Sequence, residues 1–103
     1  MYKLFIDDIR QSPDDKWLVT RNYQETIQIL TEYKCPTFIS FDHDLGEDKS
    51  GMDFAKWLVE YDMDHNIINT DNFSFVVHSA NPVGKENIEG LLGAYLKIKD
   101  LNS

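Results

Sequence analysis

Four short apolar runs set the frame for this chain: Tyr2 to Ile6, Trp17 to Thr20, Thr37 to Phe41 and Phe73 to Val77. Apolar residues follow one another in them with little alternation. Strands read this way when both faces of their sheet are covered, as in parallel sheets. Segments with helical spacing lie between them. Asn22, with Glu25 three residues later, has the form of a capping box. Tyr23, Ile27, Leu30 and Tyr33 then share a face until Cys35-Pro36 ends the helix. A second helix follows Gly51, with Met52, Ala55, Leu58 and Val59 on one side. Asn81-Pro82 reads as an N-cap and a first-turn proline. The helix it opens carries Ile88, Leu91, Leu92, Tyr95 and Ile98, and is weakened by Gly90 and Gly93. One direct β-loop-β step, through QSPDDK, breaks the alternation. The pattern predicts an α/β three-layer sandwich on a short, mostly parallel four-stranded sheet of order 2-1-3-4.

Two of these strands run out into acids. "YKLFIDDIR" places Asp7 and Asp8 after the first, and "FISFDHDLGEDKSG" places Asp42, His43 and Asp44 after the third. In a sheet of order 2-1-3-4 those two ends flank the switch point where ligands bind. Asp7, Asp8, Asp42 and Asp44 would crowd together there. Two carboxylates ~4 Å apart repel by about 4 kcal/mol at an effective dielectric near 20, so protons or a cation must offset them. Oxygen ligands suit Mg²⁺ or Mn²⁺, and a neighbouring histidine would also admit Fe²⁺ or Zn²⁺. The plainer alternative is that Asp8 caps a turn and Asp44 is solvated.

Other side chains near the strand ends carry candidate chemistry. His43 can be a ligand, a proton donor to a leaving group or a solvated loop residue. His78, after the fourth strand, can be an acid or base, or a hydrogen-bonded structural histidine. His65 receives no role. Ser79, Asn81 and the first amides of the last helix form a candidate oxyanion cradle, with Lys85 in the first turn. Arg10 and Arg21 follow strands at the same sheet edge; arginine grips phosphate bidentately, or here could pair with surplus acids. No Walker-type loop, nucleophile elbow or Cys-His metal spacing is present.

Charge narrows the partners. At 103 residues, with a net charge of -8 and a pI of about 4.6, the chain reads as a single domain, residues 1–103, whose acidity disfavours nucleic-acid duplexes and anionic membranes. A small phosphorylated ligand stays open, because a bound cation reverses the local field. One cysteine, no signal-peptide apolar region and no membrane-spanning run point to the cytoplasm. Aromatics such as Trp17 could serve a homodimer surface or simply cover the sheet edge.

The segments "LFIDD", "ISFDHDLG" with Gly51, and "VVHSA" resemble the landmarks of the response-regulator receiver fold. That resemblance implies Mg²⁺ at Asp7 and Asp8, a phosphate acceptor at Asp42 and a phosphoryl contact at Ser79. The connection "IRQSPDDK" is short for a receiver's first helix, and no fifth strand with its lysine follows the fourth. The combination "DDIR…DHDLG…HSANPVG" is more similar to a small bacterial and phage family, the cyclic-phosphate processing receiver-like domains, over nearly the whole chain. This likeness implies a metal-dependent hydrolase of a small phosphoester, such as a cyclic nucleotide or cyclic phosphate. Asp7, Asp8, Asp42 and Asp44 would hold the metal, and Asp42, His43 and His78 would carry the chemistry. Arg10, Arg21, Ser79, Asn81 and Lys85 would bind phosphate. The compartment would be the host cytoplasm for a phage-encoded chain. The alternatives are a non-catalytic receiver-like signalling or nucleotide-binding module and, more plainly, an interaction protein with a vestigial site.

Overall fold

The chain passes through β1 (Lys3–Ile6), β2 (Trp17–Thr20), α1 (Tyr23–Glu32), β3 (Phe38–Phe41), α2 (Gly51–His65), β4 (Ser74–Val77) and α3 (Pro82–Leu101) in a computed structural model that describes residues 2–46 and 48–102. The four strands form one sheet in the order β2-β1-β3-β4, and every neighbouring pair is parallel. This is the anticipated order. Three of the strands begin one residue later than the apolar runs, because Tyr2, Thr37 and Phe73 lie outside the ladder.

Local signals explain the helices. Asn22 caps α1, its side chain accepting from the Glu25 amide at 2.9 Å. The Glu25 carboxylate reaches back to the Arg21 amide, one residue before the cap, so the expected box is shifted. α2 begins with a reciprocal capping box between Ser50 and Asp53. It ends at Asn66, which takes the left-handed conformation (φ 53°) that a side-chain amide tolerates. Asn81 caps α3 by accepting from Gly84 at 2.9 Å, with Pro82 in the first turn.

Register decides which side chains share a face. Leu4 pairs with Ile39, and Ile6 with Phe41, which in turn pairs with Val77. These meet Leu30 of α1, Phe54 and Leu58 of α2, and Ile88 and Leu92 of α3 in a single buried cluster. Burying each such side chain contributes about 1.5–3 kcal/mol over leaving it exposed. All three helices therefore work on one face.

The opposite face departs from the three-layer expectation. It carries the rows Trp17, Lys3, Phe38, Ser74 and Val19, Phe5, Ser40, Val76, which stand outside the helix-side cluster. The physical reason is the connection between β1 and β2. Residues 7–16 make the parallel crossover without a helix, whereas such crossovers usually take a dozen or more residues and a helix. Aromatic side chains take the helix's place: Trp17 packs its ring against Phe5 at 5.8 Å and Phe38 at 5.4 Å, with the Lys3 ammonium 4.5 Å from its centroid. No helix among the described residues is long and apolar enough to cross a membrane.

Candidate metal and phosphate site

The strand register brings the acids together. Because Ile6 pairs with Phe41, and the Asp42 amide donates to the Ile6 carbonyl at 2.8 Å, Asp7 and Asp42 leave the sheet side by side. One carboxylate oxygen from each of Asp7, Asp8 and Asp42 falls within 4.8 Å of the others. Asp7 is fully buried and Asp42 is 7% exposed. Gly51 is needed beside them. Its amide donates to the His43 carbonyl at 2.7 Å, and a β-carbon on it would run into the Asp42 carbonyl.

Asp7 is the most tightly held of the three. Its Oδ1 accepts from the amides of Ile9 at 3.0 Å and Arg10 at 2.9 Å, and its Oδ2 accepts from His78 Nε2 at 2.9 Å. Burial alone would raise its carboxyl. The two amides and His78 outweigh that and hold it below the usual carboxylate range.

A family model for the cyclic-phosphate processing receiver domain matches residues 2–94. The chain belongs to this family. No curated protein matches it. A solved chain described as the yeast Spc42 trimeric coiled-coil, amino acids 181–211, fused to another structure superposes with a TM-score of 0.56 at 14% identity. The superposition covers 98% of this chain and 80% of that one, and it carries the fold alone.

The acidic trio fits the hard cation that receiver domains commonly hold, since its donors are all carboxylate oxygens. Asp44 lies outside the trio. It turns away to accept from or pair with His43, Oδ1 to Nδ1 at 3.0 Å, and its side chain is 65% exposed. Of the four acids expected together, three meet here: the chain bends after Asp42, and Asp44, the next acid along it, faces His43 and solvent. The His43 side chain is only 20% exposed and lies against Gly84 in the first turn of α3.

The phosphate-binding candidates of this receiver domain separate into two kinds. Ser79 Oγ accepts from the Asn81 amide at 3.0 Å, and Asn81 Oδ1 takes the Gly84 amide, so both side chains build the α3 cap rather than an open cradle. Arg21 Nη1 donates to the carbonyls of Asp7 and Arg10, bracing the residue 7–16 connection against β2. Arg10 crosses the end of the sheet to donate to the His78 carbonyl at 2.7 Å, with its side chain 47% exposed. Lys85 is exposed on the first turn of α3.

His78 is engaged at both ring nitrogens, by Asp7 and by Ser40. Ser40 received no role from the sequence, although a hydroxyl inside the apolar run "FISF" was a visible irregularity. A cavity of about 400 Å³, lined by Tyr2, Cys35, Ile67 and Phe73 among others, lies at the opposite ends of the strands and gathers no acidic cluster.

Proposed function

We propose that this domain hydrolyses a small phosphoester, a cyclic nucleotide or another cyclic phosphate, using a divalent cation held by Asp7, Asp8 and Asp42. One observation carries the reading: three carboxylates within 4.8 Å share the end of the sheet with a His43–Asp44 pair seated on α3. A bound Mg²⁺ or Mn²⁺ would polarise a phosphoryl oxygen and lower the pKa of a water.

The chain's own residues divide the rest of the work. Asp44 holds His43 through Nδ1, which leaves Nε2 to deliver a proton to the leaving oxygen. Arg10, half-exposed across the strand ends, and Lys85, on the first turn of α3, supply positive charge to an anionic substrate. The small phosphorylated ligand fits the chain's charge of -8 only with a cation in place.

The test is turnover of 2′,3′- and 3′,5′-cyclic nucleotides with Mg²⁺, Mn²⁺ or EDTA. Turnover with metal, lost in EDTA and reduced at least a hundredfold in Asp42→Ala, is expected. Undiminished turnover by Asp42→Ala would overturn the reading.

A second reading is a non-catalytic module that takes phosphate at Asp42, favoured by the position of Asp42 directly after β3, where receivers carry their acceptor. Acetyl phosphate with Mg²⁺ decides between the two by intact mass. A lasting phosphate adduct on the wild-type chain, absent from Asp42→Asn, marks the module.

A further inference from the structure

Ser40 sits mid-strand on the helix-free face, 5% exposed, in register with Phe5 of β1 and Val76 of β4. Its small side chain leaves room above β3 for two rings from the flanking strands. The Phe5 ring and the His78 imidazole stack there, centroids 4.6 Å apart and planes 2° from parallel. Ser40 Oγ lies 2.6 Å from His78 Nδ1, and His78 Nε2 lies 2.9 Å from Asp7 Oδ2. A hydrogen-bonded line thus runs from the middle of the sheet to the acidic trio.

A carboxylate offers about four lone-pair positions. On Asp7, Oδ1 spends two on the Ile9 and Arg10 amides, and Oδ2 spends one on His78. The Arg10 Nη1 faces Oδ2 at 3.9 Å, an ion pair too long for a hydrogen bond, so one position on Oδ2 is left for a cation. Its direction depends on where His78 is held.

We propose that Ser40 is a positioning residue: it donates to His78 Nδ1, fixes the Nε2–H tautomer, and so aims the one free lone pair of Asp7 at the cation. The carboxylate can only accept, so Nε2 must carry the proton facing it. In the neutral ring Nδ1 is then an acceptor, and the Ser40 hydroxyl is its donor. This rests on the cation reading of the preceding subsection and deepens it. His78 has no free nitrogen for proton transfer, so its part is to hold Asp7, and His43 is the histidine left to move a proton. Outer groups of this kind typically change metal affinity 10–100-fold when removed.

The experiment uses ¹⁵N-labelled chain at pH 8, where ring ¹⁵N shifts and two-bond couplings read the tautomer, with calorimetric titration of Mg²⁺ and Mn²⁺ alongside. The wild-type chain should show His78 as Nε2–H. Ser40→Ala should show mixed tautomers and bind metal about tenfold more weakly. Ser40→Thr, which keeps the hydroxyl, should restore both readouts; Phe5→Leu, which removes the ring that stacks on His78 and packs against Trp17 but leaves the Ser40 hydroxyl, should keep the tautomer. An Nδ1–H tautomer in the wild-type chain would overturn the proposal, as would metal binding that a folded Ser40→Ala leaves unchanged. Failure of the wild-type chain to bind either cation would bring down the cation site itself.

Discussion

Gly84 approaches His43 so closely that a β-carbon at position 84 would overlap the imidazole. The contact fixes His43 between the start of α3 and Asp44. Gly84→Ala should therefore displace the ring while leaving the acidic trio in place. In a cyclic-nucleotide assay, turnover should fall at least tenfold while the Mg²⁺ affinity measured by calorimetry stays within about twofold. Equal loss of both would mean that Gly84 supports the whole strand end rather than His43.

Asp62 supplies a pH dependence unrelated to the candidate site. It is buried in α2 and accepts from Tyr95 Oη at 2.6 Å, Lys99 Nζ at 2.7 Å and the Ile68 amide at 2.7 Å, tying α2 to α3. Burial alone would raise its carboxyl, but Lys99, Tyr95 and the amide hold it below the usual range. Its stabilising contribution is thus present above the unfolded carboxyl value near 4 and is lost as pH falls through the lower folded value. Asp62→Asn should cost about 3 kcal/mol at pH 7 in urea unfolding, the low end for breaking a buried pair, because Lys99 can turn toward solvent. The gap between variant and wild type should narrow below about pH 4. A gap that stays constant down to pH 2 would contradict the assignment.

Cys35 should be unreactive. Burial, then the nearby Asp62 charge, pushes its thiol up to about 12, so almost no thiolate exists at pH 8 to attack a disulfide reagent. Ellman's reagent should label the native chain far more slowly than the urea-unfolded chain. Comparable rates would mean that the Cys35 segment opens readily.

Much of the fold was legible because apolar runs and caps are local signals. The four strands, the Asn81-Pro82 start of α3 and the nearness of Asp7 to Asp42 follow from pattern and strand order. The layer count was not legible. Continuous apolar strands imply covered faces, but not whether a helix or Trp17 and Phe38 do the covering. Strand order placed Asp44 near the other acids or in solvent without deciding between them, and the turn after Asp42 sends it to His43. Ser40 and Asp62 were missed because their partners, His78, Tyr95 and Lys99, are 33 to 38 residues away. The Ser50 cap was also passed over, although Ser50 and Asp53 have the capping-box spacing.

Ser50→Ala tests that cap. It removes the acceptor for the Asp53 amide and one of the two groups that hold Asp53 Oδ2, the other being the Ser50 amide itself. The loss should be about 1 kcal/mol by urea unfolding. Ser50→Thr should recover most of it, since its hydroxyl both accepts from the Asp53 amide and donates to the Asp53 carboxylate. No recovery would place the cost in contacts other than the cap.

The acidic trio itself predicts opposite effects with and without metal. Asp7, Asp8 and Asp42 bring carboxylate oxygens within 4.8 Å of one another, so the metal-free chain carries repulsion of a few kcal/mol. Asp8→Asn removes one charge from that group without removing its shape. The variant should melt several degrees above the metal-free wild type, because about 1 kcal/mol shifts the midpoint of a domain this size by roughly 4–8 °C. Added Mg²⁺ or Mn²⁺ should reverse the order. At a hundred times its dissociation constant, a cation stabilises the wild-type chain by about 2.7 kcal/mol through mass action, and the variant should gain little. Crossed melting curves in EDTA and in 10 mM Mg²⁺ are the expected result. Parallel curves, with Asp8→Asn lower in both, would mean that the three carboxylates are held by the protein alone and that no cation belongs among them.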